Sequence, residues 1–377
     1  MNDMTNVRSE VRDLKFGVVD LFCGVGGLTC GLEKAGLDVV AGYDLDATCE
    51  YPYTYNNHSL FINKNIEEVT GKEIRKLLRG YDVKILAGCA PCQPFSRHQK
   101  DKKDRSKHKD WKLLYQFARL VEEAKPHIVS MENVPELVNE KVFCDFVDTL
   151  KRLKYNVTYN IVNAADYGVP QRRKRLLLLA SKKKEIVFIK PTHEQVVTVR
   201  EAIGNLPPIG AGEENLIDRL HITSRLSELN LQRIQHSIPG GSWHDWPENL
   251  MLECHKKEKG QTYTSVYGRM CWEDVAPTIT TQFTGYGTGR FGHPEQDRAL
   301  TLREGAIIQT FPENYSFLPE GEAVVIKDIS RQIGNAVPPR LGEIIGLSIK
   351  EHYTKRKYVR KSESIKKGGI ILWKINL

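Results

Sequence analysis

The sequence predicts an α/β protein in which helices cover both faces of a doubly wound sheet. Short apolar segments alternate with helical patterns through the first half of the chain, as in successive βαβ units. A glycine-rich turn, "CGVGG", follows the first apolar segment, and the second segment ends in an acid, Asp44. Ligands of such sheets bind beyond the carboxyl ends of the strands, so we expect the functional residues there.

The strands and helices follow from the two hydrophobic periods. "FGVVDLF" (Phe16–Phe22) predicts the first strand, and "LTCGLEKAG" after the glycine turn predicts a helix that ends at Gly36. "DVVAGYD" (Asp38–Asp44) predicts the second strand. The remaining predicted strands are Val83–Gly88, His127–Glu132 and Arg175–Ser181, and the remaining predicted helices are Lys112–Ala124, Val142–Leu153 and Gly342–Tyr353.

The alternation of strands and helices is lost from about Pro191 to about Arg290, where Gly, Pro, His and aromatic residues dominate. A chain of 377 residues favours two domains. We therefore expect a first domain formed by residues 14–190 together with 325–353, a smaller irregular domain over 191–300, and a basic tail over 354–377.

Composition and charge are those of a globular protein with a polyanionic partner. Hydrophobic residues make up 40% and charged residues 27%, and the formal net charge is +8. Basic residues cluster in Ser96–Lys112, Gln171–Arg175 and Lys355–Lys361. Such clusters are often only solvated surface, but the first begins directly after a cysteine-proline motif, where it can contact phosphates.

The cysteines and the apolar segments predict a cytosolic protein. Eight cysteines are scattered through segments with core patterns, which suits a reducing compartment better than a disulfide framework. We find no signal peptide and no apolar run of membrane-spanning length.

The glycine turn lacks the spacing of the common phosphate-binding loops. "DLFCGVGGL" has no Lys-Ser/Thr ending, and its glycines do not fit G-x-G-x-x-G. Glycines at such a turn still let a ligand approach the backbone, and Asp44 can accept hydrogen bonds from both ribose hydroxyls. These residues predict a nucleoside ligand without phosphates, such as S-adenosylmethionine. The alternative is a structural turn followed by a surface acid.

The stretch "GCAPCQPFS" (Gly88–Ser96) places Cys89 and Cys92 in a C-x-x-C frame. A structural zinc site needs four ligands, and the sequence has no second pair with suitable spacing. A redox pair begins a helix, where the first thiol has a depressed pKa, whereas Pro91 and Pro94 predict a rigid loop. Cys89 follows a strand and is expected to pack in the core. Cys92 is therefore the candidate nucleophile, and no metal ion is expected.

Six sequence blocks in a fixed order resemble the C5-cytosine DNA methyltransferases and together span nearly the whole chain. The blocks are "DLFCGVGGLTCGLEKAG", "GCAPCQPFS", "MENVPEL", "NAADYGVPQRRKRLLLLA", "RALTLREGAIIQTFP" and "QIGNAVPPRLGEIIG". The resemblance implies a Rossmann-like, S-adenosylmethionine-dependent methyltransferase fold with a smaller target-recognition domain. It also implies a DNA (cytosine-5-)-methyltransferase of the restriction–modification type.

The resemblance gives four residues a role in the chemistry. Cytosine C5 is a poor nucleophile until a thiolate, here Cys92, adds at C6 and makes the ring enamine-like. This addition pushes negative charge towards N3 and O2. Glu132 is expected to donate to N3, provided that burial keeps it protonated. Arg173 and Arg175 are expected to orient the acid and hold O2, with Arg175 at the oxygen itself.

None of these groups reaches a cytosine inside a duplex, so the target base must be flipped out. The segment from Ser96 to about Lys112 is the expected loop that closes over the flipped base. Gln93 and Ser96 are expected to fill the vacated stack and hold the flanking phosphate, and Gln171 is a further expected substrate-binding residue.

The resemblance also implies a set of contacts to S-adenosylmethionine. Asn65 stands where the family often has Asp for the adenine amino group, and Leu45 stands where an aromatic residue is common. The expected contacts are Phe22, Gly24, Val25 and Gly27 around the methionine end, Asp44 at the ribose, Leu45, Asn65 and Ile66 at the adenine, and Leu113, Asn335 and Val337 completing the pocket.

The family reads its target with a variable region, here roughly Lys190–Arg290. Arg269, Gln282 and Arg290 are candidate base readers because Arg and Gln match guanine and adenine edges, although an ordinary loop residue is the alternative for each. The expected partner is double-stranded DNA, bound by a monomer in the cytoplasm in association with the nucleoid. A cognate restriction endonuclease acting on the same site is a further expected partner, with no direct contact implied.

Three rival functions stay open on the sequence. An RNA (tRNA) cytosine-C5 methyltransferase would share the blocks, but the sizeable irregular segment favours a DNA-reading domain. A catalytically idle DNA-binding relative would not need Cys92, Glu132 and Arg175 together. A nicotinamide-dependent oxidoreductase would have a different glycine spacing.

Overall fold

A seven-stranded sheet organises the part of the chain that the computed structural model describes, residues 14–91 and 111–354. In chain order the strands are β1 (Phe16–Leu21), β2 (Asp38–Asp44), β3 (Leu60–Asn63), β4 (Val83–Gly88), β5 (Ile128–Asn133), β6 (Asn156–Asn163), β7 (Gln171–Arg172), β8 (Lys174–Ser181) and β9 (Ala276–Pro277). The sheet has the order β3-β2-β1-β4-β5-β8-β6, while β7 and β9 form a separate parallel pair.

The parallel strands of the sheet end at one edge. The five neighbouring strands β3, β2, β1, β4 and β5 are mutually parallel, and β8 is antiparallel to both β5 and β6. β1 lies between β2 and β4 with every residue buried, which explains its nearly continuous apolar sequence. Leu21 is in register with both Tyr43 and Gly88, so the loops that follow these strands lie side by side.

Helices pack on both faces of the sheet, as predicted. They are α1 (Gly27–Lys34), α2 (Glu50–Asn56), α3 (Gly71–Leu77), α4 (Trp111–Ala124), α5 (Lys141–Arg152), α6 (Val199–Ile203), α7 (Glu228–Gln235), α8 (Glu253–Lys256), α9 (Glu258–Gln261), α10 (Leu302–Ile308), α11 (Ile326–Asn335) and α12 (Pro339–Thr354). Residues of α3, α4 and α5 form one apolar cluster with the sheet, and residues of α1 and α12 form another on the opposite face.

Glycines allow α1 and α12 to approach until their backbones touch. A Cβ added at Gly31 would lie 2.1 Å from the carbonyl oxygen of Pro339 and 2.6 Å from the backbone nitrogen of Glu343. A Cβ at Gly346 would lie 2.5 Å from that of Ala35. This contact fixes the C-terminal sequence block against the glycine turn that follows β1.

The segment between β8 and α10 has little regular structure, in agreement with its loop-rich sequence. Part of it shares an apolar cluster with Val25 and Cys49, and another part packs around Trp243 and Trp246. At its end, Arg298 and Glu304 form a buried bidentate ion pair, with nitrogen–oxygen distances of 2.8 and 2.7 Å. The domain boundaries stay a prediction, and residues 355–377 lie outside the described range.

The sequence missed several elements for a physical reason. Within the described residues, β6 lies at the edge of the sheet, pairs with β8 alone and has no buried residue, so its sequence has no apolar run. The last helix begins at Pro339 rather than at Gly342, because proline fits the first turn of a helix. None of the helices in the described ranges combines the length and apolar character needed to cross a bilayer.

We expect Gly31→Ala to lower the free energy of unfolding by roughly 2 kcal/mol, because the added methyl group would overlap the backbone of α12. Chemical denaturation would measure the loss. Lys34→Ala, on the exposed side of the same helix, is the matched control and should change stability by less than about 0.5 kcal/mol. Equal stabilities of the two variants would contradict the close backbone packing.

Candidate active site

The loops that follow β1, β2, β3 and β4 meet at the carboxyl edge of the sheet. The N–H of Cys23 donates to the carbonyl of Tyr43 (3.1 Å), and the N–H of Cys89 donates to the carbonyl of Leu21 (3.3 Å). The N–H of Lys64 donates to the carbonyl of Asp44 (3.1 Å). Backbone hydrogen bonds therefore hold three parts of this edge together. They are the loop after β1 that contains Gly24 (the glycine loop), Asp44 at the end of β2, and the start of the loop after β4 that contains Cys89 (the cysteine loop).

The glycine loop after β1 is a left-handed turn whose backbone faces open space at one point. Phe22, Gly24 and Gly26 have φ values of +60°, +51° and +90°. A Cβ added at Gly24 would meet no atom within 4 Å, whereas one at Gly27 would lie 2.3 Å from the carbonyl oxygen of Val337. The loop is thus packed on its C-terminal side and accessible at Gly24.

Asp44 is held beside this loop by two backbone donors. Its Oδ2 accepts from the N–H of Gly24 (2.8 Å), and its Oδ1 accepts from the N–H of Asp46 (2.9 Å). Burial raises the pKa of Asp44, and the N–H groups of Asp46 and Gly24 act against that rise. The carboxyl group is therefore fixed in orientation, with lone pairs remaining for a ligand.

The other predicted cofactor residues divide into exposed and buried positions. Leu45 is 68% exposed, Asn335 is exposed, and Oδ1 of Asn65 accepts from the N–H of Glu67 (3.1 Å). Phe22 and Leu113 are partly buried. The side chains of Val25, Ile66 and Val337 are buried in the apolar clusters, and the carbonyl of Val25 accepts a hydrogen bond from the hydroxyl of Tyr315.

A buried acid that the sequence analysis did not single out lies under the glycine loop. Asp20, on β1, is 1% exposed, and its Oδ2 accepts from the hydroxyl of Thr29 (2.8 Å). Burial raises its pKa to about 7; the Thr29 hydrogen bond opposes the rise and the charge of Asp44 adds to it. An acid inside the apolar run "FGVVDLF" was the sequence signal for this residue.

Glu132 and Arg175 lie next to each other at the ends of β5 and β8. The Nε of Arg175 is 2.9 Å from Oε1 of Glu132, and both side chains are largely buried. The geometry is that of an ion pair without a hydrogen bond, so Oε1 has no hydrogen-bond partner among the described residues. The Nη1 of Arg175 donates to the carbonyl of Lys174 (2.7 Å). The Oε1 of Glu132 can therefore still accept a hydrogen bond from a ligand.

Asn133, next to Glu132, holds the start of the cysteine loop. Its Nδ2 donates to the carbonyl of Ala90 (3.0 Å), and its Oδ1 accepts from the N–H of Val134 (2.8 Å). Burial raises the pKa of the Cys89 thiol well above its usual value, and Glu132 and Asp20 add to the rise. Cys89 is therefore poorly suited to act as a thiolate. The predicted residues Cys92, Gln93 and Ser96 lie outside the described residues.

Arg173 hydrogen-bonds backbone carbonyls, and its expected role in orienting the acid stays a prediction. It is 3% exposed, and its guanidinium donates to the carbonyls of Ile279 (3.0 Å), Gly334 (3.4 Å) and Ala336 (3.1 Å). Because these acceptors come from two distant segments, Arg173 joins them to the start of β8. Its role in the structure is that of a buried connector.

Gln171 also forms its hydrogen bonds inside the protein, and its expected contact with substrate stays a prediction. It is fully buried, and its Nε2 donates to Oε1 of Gln309 (2.6 Å) and to the carbonyl of Ile308 (3.1 Å). Its Oε1 accepts from the N–H of Ile279 (3.1 Å). Both ends of the amide are already paired inside the protein.

Of the three predicted base readers, only Gln282 is exposed. Arg269 is 5% exposed, forms an ion pair with Asp297 and donates to several backbone carbonyls, so it is not available to a base. Arg290 is half-buried and donates to the carbonyls of Gly240 and Thr264. Both arginines stabilise the irregular region.

The family model of the C-5 cytosine-specific DNA methylases matches residues 16–351 of the chain. The chain belongs to this family. Type II methylase M.HgiDII of Herpetosiphon aurantiacus is 54% identical over 338 residues, which cover 88% of this chain and 94% of the relative. Type II methyltransferase M1.HphI of Haemophilus parahaemolyticus is 31% identical, with 88% and 86% covered. The chain is thus a cytosine-5 DNA methyltransferase of the type II restriction–modification kind.

Solved structures confirm the predicted fold of the methylase. A DNA modification methyltransferase encoded within a prophage of E. coli has a TM-score of 0.65 at 24% identity, with 90% of this chain and all of that chain covered. A mutant of DNMT2 from Spodoptera frugiperda has a TM-score of 0.58 at 19% identity, covering 89% of this chain. The resemblance read from the six blocks is therefore correct at the level of fold and family.

We expect Arg173→Lys to lower the free energy of unfolding of the methylase by about 2–4 kcal/mol, because an ammonium group cannot donate to three carbonyls in a fork. Arg172→Lys is the matched control. Arg172 is exposed and paired with exposed Asp274, so its replacement should cost less than about 1 kcal/mol. If denaturation gave the same loss for both variants, the connector role of Arg173 would be wrong.

Asp20 predicts a pH dependence of stability. The pKa of about 7 keeps the carboxyl protonated in the folded methylase up to about pH 7, whereas in the unfolded chain it ionises near its ordinary pKa of 3.8. The folded state therefore holds more protons between these values, and stability falls as pH rises through the window. Asp20→Asn removes this loss, so its stability relative to the parent should rise by on the order of 2 kcal/mol from pH 5 to pH 8. A pH-independent difference would exclude the raised pKa.

Proposed function

We propose that this methylase transfers a methyl group from S-adenosylmethionine to C5 of a flipped cytosine within a specific sequence of duplex DNA, and so protects that sequence. The observation that carries the proposal is the buried pair of Glu132 and Arg175 at the edge where the glycine loop and the cysteine loop meet. An acid, an arginine and the start of the nucleophile loop are there brought together from three separate sequence blocks.

The glycine loop fits the nucleoside of the cofactor. The open space at Gly24 admits a ligand close to the backbone, and the fixed carboxyl group of Asp44 can accept from ribose hydroxyls. Exposed Leu45 offers an apolar surface for the adenine, and Asn65 can accept from its amino group. S-adenosylmethionine bound there supplies a sulfonium methyl group to the edge of the sheet.

Cys92 is the proposed nucleophile. Its thiolate adds to C6 of the cytosine, which makes C5 electron-rich enough to accept the methyl group. Loss of the C5 proton and elimination of Cys92 then restore the aromatic ring. Asn133 contributes by fixing Ala90, two residues before the thiol, to the end of β5.

Glu132 and Arg175 stabilise the charge that addition creates. The addition places negative charge on N3 and O2 of the ring, so a carboxyl proton at N3 and a guanidinium at O2 lower the barrier. Arg175 is already 2.9 Å from the acid, and one contact thus orients both groups towards the same base. We assign O2 to Arg175 alone, since Arg173 is occupied by backbone carbonyls.

Access to the cytosine requires base flipping. Gln93 and Ser96 are the proposed residues that fill the vacated stack and hold the neighbouring phosphate. Exposed Gln282 is the remaining proposed base reader.

Action on one base needs only a monomer. A restriction endonuclease for the same sequence would be a partner in function without direct contact, and the cytoplasmic location stays a prediction.

Two variants test the proposed chemistry while a separate measurement verifies that each variant is folded. We expect Cys92→Ser to abolish detectable methyl transfer and the covalent adduct with DNA that carries 5-fluorocytosine. Glu132→Gln should lower kcat by about 100-fold or more with a similar KM for DNA, because an amide can donate a hydrogen bond to N3 but cannot transfer a proton to it. Radiolabelled methyl transfer and denaturing gels would measure both effects, and circular dichroism would verify folding. A Cys92→Ser variant as active as the parent would rule the mechanism out.

Substrate and target are tested by two further measurements. Bisulfite sequencing of DNA from cells that express the methylase should show one methylated sequence. Purified methylase should label duplex DNA containing that sequence and leave tRNA unlabelled. Labelling of tRNA alone would favour the RNA-modifying rival, and absence of an adduct on 5-fluorocytosine DNA would favour an idle relative.

A further inference from the structure

A groove with a hydroxyl-rich wall lies between α11 and the loop that contains Gln282. Its volume is about 280 Å³. The groove is lined by Ser224, Thr281, Gln282, Thr284, Gly285, Thr288, Ile326, Lys327 and Ser330. This lining contains five hydroxyl groups, one amide and one ammonium group, and it contains no carboxylate. Two of these hydroxyl groups, on Ser330 and Thr288, already donate within the protein, so the charge of Lys327 is what suits the groove to an anionic ligand.

The walls of the groove are joined by hydrogen bonds within the protein. The hydroxyl of Ser330, on α11, donates to the carbonyl of Thr281 (3.1 Å). The hydroxyl of Thr288 donates to the carbonyls of Gln282 (2.6 Å) and Gly285 (2.7 Å). The loop is thus fixed against the helix, and a ligand would find the groove already formed.

Lys327 supplies the charge of the groove. It is exposed, and no hydrogen bond or ion pair engages its ammonium group within residues 14–91 and 111–354. The neighbouring acid, Asp328, is not part of the lining, as expected for consecutive residues on a helix, which point in different directions. The side chain of Gln282 is likewise exposed. The Lys327 ammonium group therefore remains available to an anionic ligand.

The position of the groove relates it to the active site. The other end of α11 is held by Arg173, which lies two residues before Arg175 in the same sequence block. The guanidinium of Arg173 donates to the carbonyl of Gly334 (3.4 Å). Lys327 lies seven positions before Gly334 on α11, a distance of about 10 Å along the helix axis. The groove therefore lies on the same helix as the contact with Arg173.

We propose that this groove binds the sugar-phosphate backbone of the DNA beside the flipped cytosine, with Lys327 paired to a phosphate. The inference rests on the proposed function, because it assumes that duplex DNA crosses the edge of the sheet beside Glu132 and Arg175. Backbone contacts fix the register of a protein on DNA without reading sequence, so the groove holds the duplex while Gln282 meets the bases.

The test compares Lys327→Gln with Lys184→Gln in the full chain. Lys184 is exposed after the end of β8, which pairs with the start of β5, and so lies at the opposite edge of the sheet. The probes are two duplexes of equal length, one with the methylated sequence found by bisulfite sequencing and one with that sequence changed. The dissociation constant is measured by fluorescence anisotropy at several salt concentrations, and kcat is measured at saturating DNA.

We expect Lys327→Gln to weaken binding of both duplexes by a similar factor, several-fold at low salt, and to reduce the slope of log Kd against log salt by about 0.9. Its kcat should be unchanged, and Lys184→Gln should behave like the parent. Equal behaviour of the two variants would overturn the inference, as would a loss confined to the methylated sequence, which would indicate base reading. A parent protein that neither binds nor methylates duplex DNA would overturn the proposed function as well.

Discussion

A buried set of hydrogen bonds around Arg173, Gln171 and Gln309 holds the rest of the site in place. Arg173 binds carbonyls of two segments that lie more than 100 residues further along the chain. Gln309 donates to the carbonyls of Ile333 (2.6 Å) and Ala336 (3.2 Å) and accepts from Gln171. Four separate segments are therefore joined by polar contacts inside the protein. These contacts fix the positions of Arg175, Val337 and the loop that contains Gln282, because each lies within a few residues of one of them.

Buried polar groups of this kind fix one arrangement of the chain rather than add much stability. A guanidinium or an amide removed from water costs free energy unless its donors are satisfied, so any displacement of a segment leaves unpaired groups. Apolar packing tolerates small shifts more easily. The network thus explains how an irregular region with little secondary structure can be held in a defined position beside the sheet.

Residues of the "QRRKR" block that lie two positions apart have different partners in the structure. Gln171 and Arg173 point into the buried network, whereas Arg175, two residues on, contacts Glu132 on the neighbouring strand β5. The family resemblance gave Arg173 and Arg175 roles at the same base, with Arg175 at O2. The two arginines are distinguished by their partners, which are backbone carbonyls for Arg173 and the carboxyl group of Glu132 for Arg175.

The sequence by itself determined the doubly wound sheet, because strands such as Val83–Gly88 carry a local apolar pattern that burial on both faces requires. It also determined that Gly24, Asp44 and Glu132 lie at strand ends, since parallel strands bring their carboxyl ends to one edge. Tertiary structure alone decided that Arg269 and Gln171 are buried, that Asn133 holds Ala90 and that Lys327 faces a groove. These outcomes depend on contacts between residues far apart in the chain, and no local period encodes such partners.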